Sequence, residues 1–158
     1  MKLGVAYEVE QLQAIEAIKR GKARYFRGVD TGDTELVRGV LAENCELDYQ
    51  GCCTDPQSGR DYMPAMNLVL RGRDNWTSKG FAKAGIVSVH QGSDFDIDFT
   101  SPTSARVICA MTDRMFMPAG APFRRLVGYG HYHETWENLG DGWKIKTLRL
   151  LRLRVQVD

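Results

Sequence analysis

Asp113 is the residue that most invites a chemical reading. Ala105, Val107, Cys109, Met111, Asp113, Met115 and Met117 alternate along one stretch, and the face they share is apolar except for Asp113. A carboxylate on a buried face is costly unless it is paired or hydrogen-bonded. The opposite face carries Arg106, Thr112 and Arg114 and reads as wetter. Taken alone, Asp113 also fits a strand-end residue or a structural ion pair. His90 ends the run Ile86-Val87-Ser88-Val89-His90 and shares a face with Ser88. An imidazole paired with a carboxylate has its tautomer fixed, and its cationic form is stabilised after proton abstraction. Asp30, where a long apolar-periodic stretch ends, is a carboxylate suited to that pairing. Tyr25 precedes Asp30 by five residues, about 140° around an ideal helix. The two share one cavity only if the helix end tightens or unwinds near Gly28.

Other groupings carry less. His131 and His133 lie on one strand face with Glu137 beyond, which resembles part of a cupin metal motif. The leading glycine of that motif falls at Arg125 and no second half-motif is present, so no metal site is expected. Asp94, Asp96 and Asp98 open like a calcium loop, but the glycine and distal glutamate are missing. Phe95, Ile97 and Phe99 between them make an ordinary strand with an acidic outer face. Arg149, Arg152 and Arg154 lie in the last apolar run, Arg149 on the opposite face from the other two, and one of them could enter a cavity to bind a carboxylate or oxyanion. Phosphate-loop, dinucleotide and nucleophile-elbow signatures do not occur in the sequence.

The elements that position these residues follow from periodicity. Leu12, Ile15, Ile18, Lys22, Tyr25 and Val29 trace one face of a helix from about Val9 to Val29, with Lys22 the single interruption and Phe26 widening the stripe. Gly21 weakens that helix by about 1 kcal/mol, and Gly32 is its expected stop. Asp33 is the expected N-cap of a short second helix burying Leu36, Val37, Val40 and Leu41, with Glu35 favoured in its first turn. Cys45 to Tyr49 alternates as a strand. Residues 51 to 72 read as an irregular cover, and Arg73 to Ala84 as a third helix with Trp76 and Phe81. The remainder reads as strands over 86–100 (interrupted at Gly92-Ser93, a plausible bulge), 105–117, 124–138 and 143–157. Helices first and hairpin-linked strands after predict an α+β fold, a curved antiparallel sheet wrapped around three N-terminal helices with a conical cavity between.

The 158 residues predict one domain, able to bury about two-thirds of its unfolded surface. With 43% hydrophobic and 26% charged residues and a net charge of +1, nothing in the composition points to nucleic acid or a membrane surface. No apolar run reaches the roughly 20 residues needed to span a bilayer, and Met1 to Glu8 lacks a signal-peptide block. Cys45, Cys52, Cys53 and Cys109 form no C-x-x-C and read as reduced thiols of a cytoplasmic protein. A disulfide between the vicinal Cys52 and Cys53 would be strained.

Over residues 9 to 156 the chain resembles the SnoaL-like branch of the nuclear-transport-factor-2-like superfamily, the cystatin-like or scytalone-dehydratase-like fold. The carriers are residues 23–33 (ARYFRGVDTGD), 41–49 (LAENCELDY), 128–134 (GYGHYHE) and 142–145 (GWKI). The superfamily hosts isomerases, cyclases, dehydratases, epoxide hydrolases and non-catalytic subunits. Three cofactor-free lyases within it share an Asp–His dyad: scytalone dehydratase, bile-acid 7α-dehydratase and lindane dehydrochlorinase. The resemblance implies that Asp30 and His90 are that dyad. Tyr49 matches the scytalone dehydratase tyrosine. Tyr25, Asp113 and a C-terminal arginine, Arg152 or one of its neighbours Arg149 and Arg154, match the bile-acid enzyme, whose polar residues are the nearer set. The second catalytic histidine of scytalone dehydratase falls near Met117, and its serine and asparagine fall near Gly130 and Tyr132, which argues against scytalone as substrate.

The expected activity is a cofactor-independent, dehydratase-type elimination on a cyclic or polycyclic hydroxy-ketone. His90 would be the base, Asp30 its orienter, and Tyr25 and Tyr49 donors to the developing enolate or leaving oxygen. Asp113 would contact the leaving hydroxyl or orient a tyrosine, an arginine of the last strand, Arg152 or Arg149, would bind a polar tail of the substrate, and Met111 and Trp76 would contact the substrate as well. Alternatives are ketosteroid-isomerase-like double-bond migration, polyketide cyclisation, or a non-catalytic module resembling the small subunit of ring-hydroxylating dioxygenases. The expected partners are a small hydrophobic cyclic substrate and further copies of the chain, as a homodimer or homotrimer.

Overall fold

The computed structural model describes residues 2–77 and 79–158, with side chains from Glu8 onward. Helix α1 runs Lys2–Thr31 and α2 Thr34–Arg38, followed by strand β1, Leu41–Asp48. A short strand β2, Val69–Arg71, and helix α3, Lys79–Ala84, lead into β3 (Val87–Ser101), β4 (Ser104–Phe116), β5 (Arg125–Asn138) and β6 (Trp143–Val157). The architecture is the expected α+β arrangement, with one sheet in the order β2-β1-β6-β5-β4-β3. It differs from an all-antiparallel sheet at one seam, where β1 runs parallel to β6. The chain leaves β1 for the cover and β2, completes the meander of the four long strands, and returns with β6 beside β1.

The buried face of α1 is Ala14, Ile18, Lys22, Tyr25 and Phe26. Leu12, expected on this stripe, is exposed, and the described core face begins at Ala14. Gly21 has a packing reason: a Cβ there would lie 2.9 Å from the Trp136 ring. Gly32 takes φ +71 just past the helix, as a glycine stop does. Asp33 then caps α2 by accepting the Leu36 amide at 2.9 Å. That helix is one turn long, so Val40 and Leu41 are buried beyond it, Leu41 as the first residue of β1.

Two further expectations shift. The helix expected over Arg73–Ala84 is a 3₁₀ turn at Arg73–Asn75, an extended Trp76 and then α3, with Ser78 outside the described residues. In β3 the irregularity falls between Ser93 and Asp96, where Asp94 adopts φ 49, rather than at Gly92-Ser93. Gly92 remains paired opposite Met111, and its lack of a side chain admits the Phe26 ring.

Candidate active site

Each wall of the site follows from an element. On β4, Ala105, Val107, Cys109, Met111, Asp113 and Met115 are all buried while their neighbours are not, so the alternation places Asp113 inward. Asp113 is 2% exposed. On β3, Ser88 and His90 share the inward face, His90 directly opposite Asp113 in the ladder. On β6 the pairing slips between Tyr129 and Gly130, leaving Leu153 as an extra residue. That bulge separates the arginines. The Arg152 side chain points inward and is 3% exposed, while that of Arg154 lies 44% exposed against Asp55. Regular alternation had placed these two on one face, and the bulge reverses that. Arg149 is exposed, near Asp48 at 3.8 Å, away from the cavity wall.

Asp30 and His90 meet. His90 Nδ1 lies 2.6 Å from Asp30 Oδ1, the His90 amide donates to Oδ2 at 2.8 Å, and Ser88 Oγ donates to Oδ1 at 2.9 Å. The carboxylate is therefore fixed by backbone, hydroxyl and imidazole together, and with Nδ1 occupied the free ring nitrogen is Nε2. Nε2 is 3.8 Å from Asp113 Oδ2, beyond hydrogen-bond length. Phe26 stacks on the imidazole at 5.8 Å and 12° and holds its plane.

Helix α1 does not unwind to bring Tyr25 and Asp30 together; it stays helical through Thr31. The 140° between them is used instead. Tyr25 lines the cavity, whereas Asp30 stands behind His90 and reaches the cavity only through it. His90 is the partition between the two.

The cavity is about 410 Å³ and mostly apolar. His90, Asp113, Tyr25, Tyr49 and Tyr132 converge on it with Arg152. The 49–68 segment covers it through Met63, Met66 and Leu68, and four of the lining residues, Ala65, Thr77, Gly80 and Ala84, are exposed to solvent. The cover is tied to β6, where Arg152 Nε donates to the Cys52 carbonyl at 2.6 Å and the Val155 amide to Asp55 at 3.2 Å.

Tyr25 and Tyr49 hydroxyls are 2.6 Å apart, and Trp76 Nε1 donates to Tyr49 at 3.2 Å. One phenolic hydrogen is spent inside the pair, leaving one to aim into the cavity. Burial raises Tyr25 well above its ordinary value, reinforced by Tyr49 and Tyr132. Burial also pushes Tyr49 up to about 12, against hydrogen bonds from Tyr25 and Trp76 that pull it down. Both therefore stay protonated and can donate at neutral pH.

Asp113 receives both terminal nitrogens of Arg152, at 2.7 and 2.9 Å. Burial pulls the guanidinium down, and Asp113 more than offsets this through its hydrogen bonds and charge. Met111, expected to contact substrate, shares the inward face of β4 with Asp113 but is not among the residues lining the cavity, and its sulfur accepts Arg152 Nη1 at 3.3 Å. Trp76 does line the cavity. His131 and His133 lie on the outer face of β5, and no group of three potential metal ligands occurs among the described residues.

Sequence reasoning missed the partner of Lys22. Its side chain and that of Glu134 are 0% exposed and form a buried ion pair beneath the site. The signal was present: one lysine interrupts an apolar helix face, and one glutamate interrupts the inward face Leu126, Tyr132, Glu134, Trp136 of β5.

A model of the SnoaL-like domain matches residues 10–149. A candidate scytalone dehydratase from Novosphingobium aromaticivorans superposes with a TM-score of 0.73 at 24% identity, over 94% of this chain and 90% of that one. A type 2 hexachlorocyclohexane dehydrochlorinase superposes with a TM-score of 0.72 at 14% identity, over 96% and 93% of the two chains. At these identities the structures share the fold. The "Probable cyclase FGR4" of Gibberella zeae is 58% identical over 26 residues, 16% of this chain and 17% of that protein, so the match spans well under two-thirds of that relative. Among the described residues no helix is long and apolar enough to cross a membrane.

Proposed function

The chain belongs to the SnoaL-like domain family, and from that premise we propose that it is a cofactor-independent lyase that removes water from a cyclic or polycyclic hydroxy-ketone. The observation that carries the reading is the Asp30–His90 contact of 2.6 Å at the wall of an apolar cavity. Nε2 of His90 takes the proton on the carbon next to the carbonyl, and Asp30 stabilises the imidazolium from the far side. The carbonyl oxygen, becoming an enolate, accepts the remaining phenolic hydrogen of the Tyr25–Tyr49 pair. The electron pair then expels the hydroxyl, which leaves as water with the proton returned by His90. A general base contributes about 10²–10⁴ in rate.

Asp113 faces the leaving group in this account and Arg152 positions Asp113. The donors of Arg152 are directed to Asp113, Cys52 and Met111, so binding a polar tail of the substrate is not assigned to it. The predominantly apolar lining supports a hydrophobic ring compound as substrate.

A second reading, isomerisation or ring closure with an aspartate as base, draws on Asp113, which also lines the cavity. Arg152 on both carboxylate oxygens weighs against it, because protonating Asp113 would discharge one side of a buried ion pair. The dyad likewise favours an enzyme over a non-catalytic module. Incubating the protein with a panel of cyclic β-hydroxy-ketones and weighing the products separates the readings. Loss of one water supports the lyase; a product of unchanged mass rejects it in favour of isomerisation.

A further inference from the structure

Tyr132 lines the cavity that holds His90 and Asp113, yet the elimination described above gives it no task. It is an inward residue of β5 and is 3% exposed. Its ring is held by its neighbours: Lys22 Nζ lies 3.5 Å from the centroid, the Phe26 ring 5.7 Å and the Tyr25 ring 6.3 Å away. Its hydroxyl is held by nothing. Among the described residues no group hydrogen-bonds the Tyr132 oxygen, and no side-chain oxygen or nitrogen sealed from solvent lacks a partner. An oxygen that is neither bonded nor sealed opens onto the cavity its ring lines. The other buried N–H and O–H side-chain donors of the lining are engaged. Trp76 donates to Tyr49, Arg152 to Asp113 and the Cys52 carbonyl, His90 Nδ1 meets Asp30, and Tyr25 and Tyr49 share a hydrogen. Burial raises the Tyr132 phenol well above its ordinary value, with Asp113 and Tyr49 reinforcing and Arg152 opposing, so it keeps its proton at neutral pH.

We propose that Tyr132 is a further catalytic residue, the second hydrogen-bond donor to the substrate's carbonyl oxygen. The inference rests on the lyase reading for the identity of that acceptor, the oxygen that becomes an enolate when His90 takes the neighbouring proton. Such an oxygen offers two lone pairs, and the Tyr25–Tyr49 pair has one hydrogen left to give. Tyr132 supplies the other from β5, and its ring is the edge-to-face neighbour of Tyr25, so the two donors serve one region of the cavity. No bond to Tyr132 breaks; its proton stays on the phenol throughout. Because the hydroxyl has no protein acceptor to give up, and its ring is already fixed, it meets the developing charge without rearrangement. Phe26 packs on both the Tyr132 ring and the His90 imidazole, so donor and base share one aromatic support.

The test is Tyr132→Phe, which removes a hydroxyl without a protein partner and is expected to keep the native circular dichroism and urea midpoint. On a hydroxy-ketone that the wild type dehydrates, kcat falls about 10²–10³-fold, the cost of losing one donor to an oxyanion, while KM stays within about 3-fold. Binding gives a readout that needs no turnover. The probe is 2-naphthol, an aromatic enol whose oxygen stands in for the enolate, with naphthalene as the oxygen-free control. Tyr132→Phe binds 2-naphthol at least about 10-fold more weakly and naphthalene as the wild type does. Equal 2-naphthol affinity in the two proteins, a parallel loss of 2-naphthol and naphthalene, a lowered urea midpoint, or a wild type that does not prefer 2-naphthol to naphthalene overturns the proposal. Selective loss of 2-naphthol in a protein that dehydrates nothing keeps the donor and removes the lyase reading. Wild-type dehydration that Tyr132→Phe leaves unchanged removes the donor alone.

Discussion

Removing the ammonium of Lys22 destabilises the fold severely, and removing its partner's charge as well restores most of the loss. Lys22 Nζ pairs with Glu134 Oε1 and lies 3.5 Å from the Tyr132 ring centroid, 4.3 Å from Tyr25 and 4.7 Å from Phe26. Burial pulls the Lys22 pKa down and Glu134 pulls it back, with burial the larger. Lys22→Met leaves a fully buried carboxylate with the Trp136 indole, at 2.8 Å, as its remaining side-chain donor. Breaking one side of a buried pair costs about 3–5 kcal/mol. Lys22→Met with Glu134→Gln removes the charge and keeps an acceptor for Trp136, so it recovers to within about 1–2 kcal/mol of wild type. Lys22→Met with Glu134→Leu falls between, because the indole N–H loses its acceptor at about 1–3 kcal/mol. Urea unfolding followed by tryptophan fluorescence measures all three. A cost below about 1 kcal/mol for Lys22→Met, or a double variant no better than the single, refutes the reasoning. The pair bears on the site because Phe26 stacks on His90 and Tyr25 and Tyr132 line the cavity.

Gly128→Ala places a methyl on the Arg152 guanidinium and the Asp113 carboxylate. It should break that buried pair, cost about 3–5 kcal/mol and lower the thermal midpoint accordingly. Asp30→Asn should cut kcat/KM by about 10²–10⁴ with little change in the circular dichroism, since it keeps the volume but loses the charge that stabilises the imidazolium; kinetics near wild type would remove Asp30 as the orienter. The buried tyrosines make a pH prediction. Tyr49 titrates near 12 in the folded chain against 10.0 ordinarily, so its contribution is fully present below pH 10 and is lost as the pH rises toward 12, about 3 kcal/mol in all. Denaturant midpoints recorded across that window check it.

Much of this arrangement is legible in the residues, for reasons that differ by element. The single carboxylate in the alternation of residues 105–117 placed Asp113 inward because a strand period of two leaves little choice. The Asp30–His90 pairing was implied by resemblance, not by spacing. The 140° between Tyr25 and Asp30 is no obstacle, since Asp30 meets His90 from the side away from the cavity and shares no helix face with Tyr25. Arg152 and Arg154 were inseparable because a bulge changes side-chain parity without leaving a mark in the pattern. The 49–68 cover lacked period altogether, and it brings Cys52, Met63 and Met66 to the cavity. The parallel seam between β1 and β6 depends on where that cover lets the chain return, which hairpin logic does not reach.

The central claim is that His90 is the base. Its most direct test is the turnover of His90→Ala on whichever hydroxy-ketone the wild type dehydrates, in a variant shown to keep the native circular dichroism and unfolding midpoint. The account predicts a kcat at least about 10²-fold lower, with water loss nearly abolished. Turnover within a few-fold of wild type would contradict it and move the chemistry away from the Asp30–His90 dyad.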